Sequence, residues 1–485
     1  MKFSPHNIII YQLYLLQLES YDLRRFWPSL WRQGLRAREM RKSLAWTIKM
    51  KSIAAVSTLL YVIAILFIIY ISLLFNPSGI VFTFIALAAI LLGWCLFGVW
   101  ACGAVIALQP LDYVLKRRII KAARQKMKQH PQVKIIGIAG SYGKTTMKEI
   151  IATILSQHYQ VLKTEANKNT PLGIAQVILE KLTPEVQIFI VEMGAYQRGD
   201  IKDLCSVACP HISILTGINE SHLERFGNME NTIAAKFEII TGARTEAAVL
   251  LNADDELISK HYQDYVQDKQ VSFYSAYNDK RCDYRVIDRR FIPETLVQCA
   301  DIMHKIDSLG AVKTPLLGEY IFGDIIAAII VARQLQMPTE EIRHGIAALQ
   351  PIPHRLQPIR GQNDILVIDD SYNGSAHGVE EAIRVLERFK NRRILFVTPG
   401  LVETGERARS LHCHIGKRLA RAVNLVILIQ NSVTPYIAQG LLDAGFAKDN
   451  ILYFKTALEA HREIQKLTKK NDVVLFQNDW PDNYI

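Results

Sequence analysis

The residues with the clearest capacity for chemistry are Gly140-Ser141-Tyr142-Gly143-Lys144-Thr145-Thr146, a glycine-rich run ending in a lysine and two hydroxyls. An apolar, β-branched stretch over 133–138 precedes it, and a helical pattern over 144–156 follows. A loop between strand and helix offers backbone N–H groups and a positive helix end to phosphate oxygens. Lys144 is placed to reach the β- and γ-phosphates, and Thr145 to ligate Mg²⁺. The strict pattern G-x-x-x-x-G-K-[ST] requires glycine six residues before the lysine, where this chain has Ile138 and the nearby glycine is Gly137. The run reads as a phosphate loop for ATP or GTP.

Other reactive side chains follow at the ends of apolar runs. Glu192 closes a strand pattern over 187–191, at the carboxyl end where α/β sheets bind ligands. His222 follows a strand pattern over 211–215, and Lys236 sits within a helical stretch over 231–241. Asn252, with Asp254 and Asp255, follows a strand over 247–251; Asp369-Asp370-Ser371-Tyr372-Asn373 follows one over 365–368. Singly, each also fits a plain role as a surface carboxylate, a structural histidine, a solvated lysine or a turn.

Alternating strands and helices place these groups on a parallel sheet with helices on both faces. The expected organisation is α/β: a central domain over 131–350, then the stiff Pro351-Ile352-Pro353, then a second Rossmann-like α/β domain over 351–485. Its strands are expected at 365–368, 394–398, 425–429 and 473–476, and a single helical stretch over 322–349 precedes the linker.

Residues 1–130 are different in kind. No charged residue occurs from Ile53 to Leu111, and Asn76-Pro77-Ser78-Gly79 divides that run. Each half exceeds the ~20 apolar residues that cross a bilayer as a helix. The pattern predicts a transmembrane hairpin with spans at 53–75 and 80–107. Basic residues flank both outer ends, from Arg24 to Lys51 and from Lys116 to Lys128, and the loop between the spans has no charge. That predicts a multi-pass protein of the cell membrane with both termini and the α/β domains cytoplasmic. The first 40 residues, with Trp27, Trp31 and several arginines, read as an interfacial amphipathic segment.

The chain has 485 residues and a formal charge of +11. Residues 1–136 carry a net +14 and the remainder −3. The positive charge therefore belongs to the membrane flanks, which excludes a generally basic nucleic-acid-coating globule and leaves nucleic acid outside the expected partners. Seven scattered cysteines with no C-x-x-C pair exclude a zinc ribbon or a disulfide framework.

Taken in order, the motifs resemble those of the Mur ligases, the ATP-dependent amide-forming enzymes of peptidoglycan precursor synthesis. The likeness runs from about residue 131 to the end. Its carriers are the loop 140–146, Asn167-Lys-Asn169 with Gly173, Glu192-Met-Gly-Ala195, and His222-Leu-Glu-Arg-Phe-Gly227. Ala235-Lys236-Phe-Glu238, Leu251-Asn-Ala-Asp-Asp255, His354-Arg355-Leu356 and Asp369-Asp-Ser-Tyr-Asn373 complete them. Glu-Met-Gly-Ala and Asp-Asp-Ser-Tyr-Asn point to the branch that adds D-alanyl-D-alanine to a MurNAc-tripeptide.

The resemblance implies roles. Gly140, Ser141, Gly143, Lys144, Thr145 and Thr146 would hold the triphosphate, with Thr145 on a first Mg²⁺. Glu192 and His222 would hold a second Mg²⁺, together with Lys236 carbamylated by CO₂. Asn252, Arg355 and Asp370 would contact the nucleotide, and Asn167, Asn169 and Thr170 the peptide. A substrate carboxylate would be activated as an acyl phosphate and captured by an amine. The implied partners are a MurNAc-peptide precursor, UDP- or lipid-linked, D-alanyl-D-alanine, membrane lipid and membrane enzymes of cell-wall synthesis.

Three departures accompany the likeness. No counterpart of the family's UDP-sugar-gripping N-terminal domain is evident. Tyr320 and Asp324 stand where the family often has the His and Asn of Gly-x-His-x-x-x-Asn, with that Asn near adenine. Pro399-Gly400-Leu401 replaces a typical Gly-Asp-Met. Two alternatives remain: a ligase of another carboxylate–amine pair, as in the cyanophycin- and folylpolyglutamate-synthetase relatives, and a non-catalytic membrane-tethered nucleotide-binding scaffold. The relative that amidates lipid II carries a four-cysteine zinc ribbon, which this chain lacks.

Overall fold

The computed structural model describes residues 5–33, 43–74, 79–165, 168–220, 223–304, 308–372, 374–402 and 404–478. They fall into two compact units, divided between residues 118 and 119.

The first unit is helical: α1 (Pro5–Leu18), α2 (Leu23–Gln33), α3 (Ile48–Leu74), α4 (Gly79–Cys95) and the start of α5 (Phe97–Lys128). Helices α3 and α5 are long and apolar enough to cross a membrane. Leu59, Leu66, Phe67 and Tyr70 on α3 and Phe84, Leu87, Leu91 and Leu92 on α4 are all more than half exposed, an apolar belt that water would not favour. Lys49, at the start of α3, and Lys116 both pair with Asp112, at 3.0 and 2.8 Å, so the two basic flanks lie side by side.

The expected second span is not one helix. It breaks at Leu96, between α4 and α5. The break frees the Cys95 carbonyl and the Gly98 N–H, and the fully buried Gln12 satisfies both: its Nε2 donates to Cys95 O at 2.7 Å and its Oε1 accepts from Gly98 N at 2.5 Å. A Cβ at Gly98 would fall 2.6 Å from Leu30 Cδ1 and 3.2 Å from Phe26 Cζ, so α2 packs closely against this glycine. The N-terminal segment is also divided. Only α2 is amphipathic, burying Phe26 and Leu30 and exposing Trp27 and Trp31; α1 buries Tyr11, Leu13, Leu15 and Leu16 in this unit's core.

The second unit holds two α/β domains. The central sheet is built from β1 (Lys134–Ala139), β2 (Val161–Lys163), β3 (Ile188–Met193), β4 (Ile212–Leu215), β5 (Ala248–Asn252) and β6 (Val271–Tyr274). All pairings are parallel, in the order β2-β3-β1-β4-β5-β6. Strands β1 and β3 are buried along nearly their whole length because helices cover both faces, which is why they read as continuous apolar runs. Helix α6 (Lys144–Leu155) follows β1, and α7 (Pro171–Lys181) leads toward β3.

Beyond β6 the chain forms an antiparallel sheet absent from the sequence reading: β7 (Tyr284–Ile292), β8 (Val297–His304) and β9 (Ser308–Thr314). The helical stretch expected over 322–349 is two helices, Ile321–Gln334 and Thr339–Ala347, separated where Gln336 takes a positive φ ahead of Pro338.

The C-terminal domain contains β10 (Gln357–Arg360), β11 (Leu366–Asp370), β12 (Ile394–Thr398), β13 (Leu425–Ile429), β14 (Ile451–Phe454) and β15 (Val473–Gln477), in the order β10-β11-β15-β12-β13-β14. The sheet is mixed rather than purely Rossmann-like, because β10 turns back after the linker and pairs antiparallel with β11. The other pairings are parallel.

Candidate active site

The carboxyl ends of β1, β3, β4 and β5 converge on one cavity of about 300 Å³. Its floor is the loop after β1. Gly140 has φ +153, and a Cβ there would meet Thr216 Oγ1 at 2.1 Å, so the loop can lie against the end of β4 only with glycine at this position. Ser141 N donates to Gly217 O at 2.7 Å, and Ser141 Oγ accepts from Asn219 N at 3.2 Å. Gly143 then caps α6, whose first residue is Lys144. The loop amides and the α6 N-terminus make an anion-binding floor.

Lys144 lines the cavity and donates from Nζ to Gly140 O at 2.8 Å. Burial pushes its pKa down, Glu192 opposes that shift, and Arg355 adds to it. Thr145 donates its hydroxyl to Glu192 Oε2 at 3.1 Å. The same oxygen lies 3.3 Å from Lys148 Nζ. Lys148 is 1 % exposed, one helical turn beyond Lys144, and also faces Glu149 at 3.5 Å.

The sequence reading did not single out Lys148; its spacing of four from Lys144 on one helix was the only signal. Lys148→Met would leave Glu192 buried without its cation. Losing one partner of a buried pair costs on the order of 3–5 kcal/mol. Thermal unfolding should show a Tm several degrees lower, partly restored when Glu192→Gln is added. An unchanged Tm would mean the pair is structurally idle.

Lys236, on the helix Met229–Thr241, is 2 % exposed and donates to Ala195 O at 3.3 Å. Burial, and next the charge of Lys144, push its pKa down to about 7. Asn252, at the end of β5, donates to Thr216 O at 2.8 Å and accepts from Asp254 N at 3.1 Å. From the C-terminal domain come Arg355, whose Nη1 donates to Tyr372 O at 2.8 Å, and Asp370, whose pKa burial raises to about 7 against the pull of Arg355. Both line the same cavity.

The structure thus brings together Ser141, Gly143, Lys144, Thr145, Thr146, Asn169, Glu192, Lys236, Asn252, Arg355 and Asp370 around one space. Thr170 is not among the lining residues: its hydroxyl accepts from Gly173 N at 3.2 Å and caps α7. Asn167 and His222 lie outside the described residues. Tyr142, Tyr372 and His377 also line the cavity without having been singled out. Tyr142 donates to Asp255 Oδ2 at 2.8 Å, which the loop sequence alone could not show.

The hydroxyl of Thr145 and the carboxylate of Glu192 are hard oxygen donors side by side, a set that suits Mg²⁺. Among the described residues no three His, Cys, Asp or Glu side chains cluster as a metal site.

Comparison with known proteins agrees with this geometry. Residues 138–332 match the Mur ligase middle domain, and 354–477 the Mur ligase glutamate ligase domain. Together they cover about two thirds of the chain.

The chain belongs to the Mur ligase family.

This Mur ligase is 27% identical over 329 residues to the UDP-N-acetylmuramoyl-tripeptide--D-alanyl-D-alanine ligase of Escherichia coli, covering 65% of this chain and 70% of that one. It is 26% identical over 348 residues to the Bacillus subtilis enzyme of the same name, covering 71% and 72%. Among solved structures it is similar to the MurF ligase of Thermotoga maritima in complex with ADP. There the TM-score is 0.65 at 27% identity, with 75% of this chain and 80% of that chain covered.

Proposed function

We propose that this Mur ligase joins D-alanyl-D-alanine to a MurNAc-tripeptide at the expense of ATP, at the cytoplasmic face of a membrane. The observation that carries the reading is the convergence of Lys144, Glu192, Lys236, Arg355 and Asp370, from two domains, on one cavity.

The tripeptide carboxylate attacks the γ-phosphorus, the bond to the β-phosphate oxygen breaks, and ADP and an acyl phosphate result. The loop amides and Lys144 offset charge on the transferring group. Mg²⁺, held by Thr145 and Glu192, would neutralise phosphate charge when bound. A carbamate on Lys236 would supply a further anion to the same cavity. The free amine of D-alanyl-D-alanine then attacks the activated carbonyl, phosphate leaves, a proton is released and an amide remains. Arg355 and Asp370, both from the C-terminal domain, help close the cavity and keep water from the acyl phosphate.

The family match begins at residue 138, after the helical unit. We assign that unit to membrane anchoring, with the paired flanks of Lys49, Asp112 and Lys116 at the cytoplasmic surface. The protein is then expected in the membrane fraction, resisting high salt and alkaline carbonate and released by detergent. Recovery in a carbonate wash would overturn the anchor.

The deciding assay is ADP release by full-length protein in detergent, given D-alanyl-D-alanine with either UDP-MurNAc-tripeptide or its lipid-linked form. Release that requires both the peptide and the dipeptide supports the reading. Release with glutamate acceptors alone would replace it by a folylpolyglutamate-type activity.

A further inference from the structure

A second, smaller cavity has no part in the ligation chemistry above. It has a volume of about 40 Å³, and Arg289, Arg290, Arg384, Arg388, Glu319 and Phe322 are among the residues that line it. Arg289 and Arg290 stand on β7 of the central domain. Arg384 is on the helix Ala376–Leu386 of the C-terminal domain, and Arg388 follows that helix. The cavity therefore lies on the seam between the two domains. It adjoins the larger cavity through Tyr277 and Glu381, which line the larger one and both hold Arg384: its Nη1 donates to Glu381 Oε1 at 2.6 Å and to the Tyr277 hydroxyl at 3.0 Å.

The charges do not balance within the protein. Four arginines against Glu319 give the lining a formal +3, and Glu381 and Asp288, which pair with Arg384 and Arg290, reduce it to +1. Three of the four cations are provided for. Arg290 lies 2.7 Å from Asp288, Arg384 serves Glu381, and Arg388 Nη2 donates to Glu319 Oε1. Arg289 is the exception. Glu319 Oε2 stands 3.8 Å from its Nη1, too far for a hydrogen bond, and none of its N–H groups donates among the described residues. The rings of Tyr277 and Phe322 lie 5.5 and 5.9 Å from its guanidinium carbon and shield it, so only 24% of the side chain is exposed. A guanidinium has five donors and no acceptor, so a shielded one calls for an oxygen ligand. Arginine forks match the paired oxygens of a phosphate-like group. The space is worth about three waters, enough for a group the size of phosphate and too little for a nucleotide.

We infer that this cavity is a second oxyanion site, taking one tetrahedral anion of the size and charge of inorganic phosphate, whose occupant ties the central domain to the C-terminal one. Arg289 holds the anion from β7, and the unused donors of Arg384 and Arg388 hold it from the other domain. The same anion steadies Arg384, and through it Tyr277 and Glu381 in the wall of the larger cavity. The site is independent of what that larger cavity holds.

The test is amide hydrogen exchange of full-length protein in detergent, with phosphate added against chloride at equal ionic strength. Exchange over both 284–292 and 376–388 should slow about threefold in about 20 mM phosphate, as a site of ~10 mM affinity would give. Sulfate should act like phosphate, and acetate, planar and singly charged, should not. Arg289→Gln keeps the stem of the side chain and should abolish the protection of both segments while leaving any protection at 140–146. Lys144→Met should do the reverse. Arg388→Gln should weaken the effect as a second, more exposed variant. Unchanged exchange over 284–292 and 376–388 in wild type overturns the inference. So does protection that survives Arg289→Gln, that disappears with Lys144→Met, or that acetate reproduces.

Discussion

Lys236→Ala is expected to reduce ligation by about 10²–10³-fold, the scale on which loss of one preorganised charge in a closed site is felt. Lys236 is nearly fully buried and its amine titrates at about 7, so a large share is uncharged at neutral pH. A neutral amine adds to CO₂, losing a proton and becoming a carbamate; an ammonium does not. Ligation should therefore decline as pH falls through 7, decline again in CO₂-stripped buffer, and recover with bicarbonate. Protein equilibrated with ¹³CO₂ should show a carbamyl carbon signal that Lys236→Ala lacks. Stability follows the same titration. The folded-state value lies below the free lysine value of 10.5, so burying the amine destabilises the fold most below pH 7, and that penalty is relieved as pH rises from 7 toward 10. Lys236→Met should accordingly raise Tm more at pH 6 than at pH 9. A Lys236→Ala enzyme that ligates within tenfold of wild type would remove the carbamate from the mechanism.

What the sequence made legible depends on whether the signal is local. Strands β1 and β3 are buried on both faces, so their apolar runs stand out, and Glu192 at the end of one is visible for the same reason. The phosphate loop is legible because Gly140 and Gly143 hold backbone angles that other residues resist. The sheet β7–β9 was hidden. Its first strand alternates inward Tyr284 and Val286 with exposed neighbours, then shifts register between Ile287 and Arg290, and the shift breaks the period-two pattern. Lys148 and Gln12 read as ordinary polar residues, since what buries them lies 44 and more than 80 positions away. Asp324 stands out in the sequence only as a departure from the Gly-x-His-x-x-x-Asn pattern; its burial beside Tyr142 and Tyr274 arises only when the helix Ile321–Gln334 packs.

Lys144→Met is the sharper test of the phosphate loop. Methionine is as good a helix former as lysine and keeps an unbranched stem, so α6 should still start at residue 144 and the far-ultraviolet dichroism should not change. What disappears is the one loop cation in the cavity, whose charge Glu192 stabilises against burial. Charge on the transferring phosphoryl group is greater in demand at the transition state than in the bound nucleotide, so the loss should fall mainly on turnover. About 10³-fold in kcat/KM is expected, roughly 4 kcal/mol, with a smaller weakening of ADP affinity. The comparison with Lys148→Met separates the two lysines. Lys148 faces Glu192 from within the buried helix face, so its loss should appear first in Tm; Lys144 opens onto the cavity, so its loss should appear in rate at unchanged Tm. If Lys144→Met kept wild-type turnover, the loop after β1 would not be where the triphosphate is held, and the convergence of Glu192, Lys236, Arg355 and Asp370 on its cavity would need another ligand to explain it.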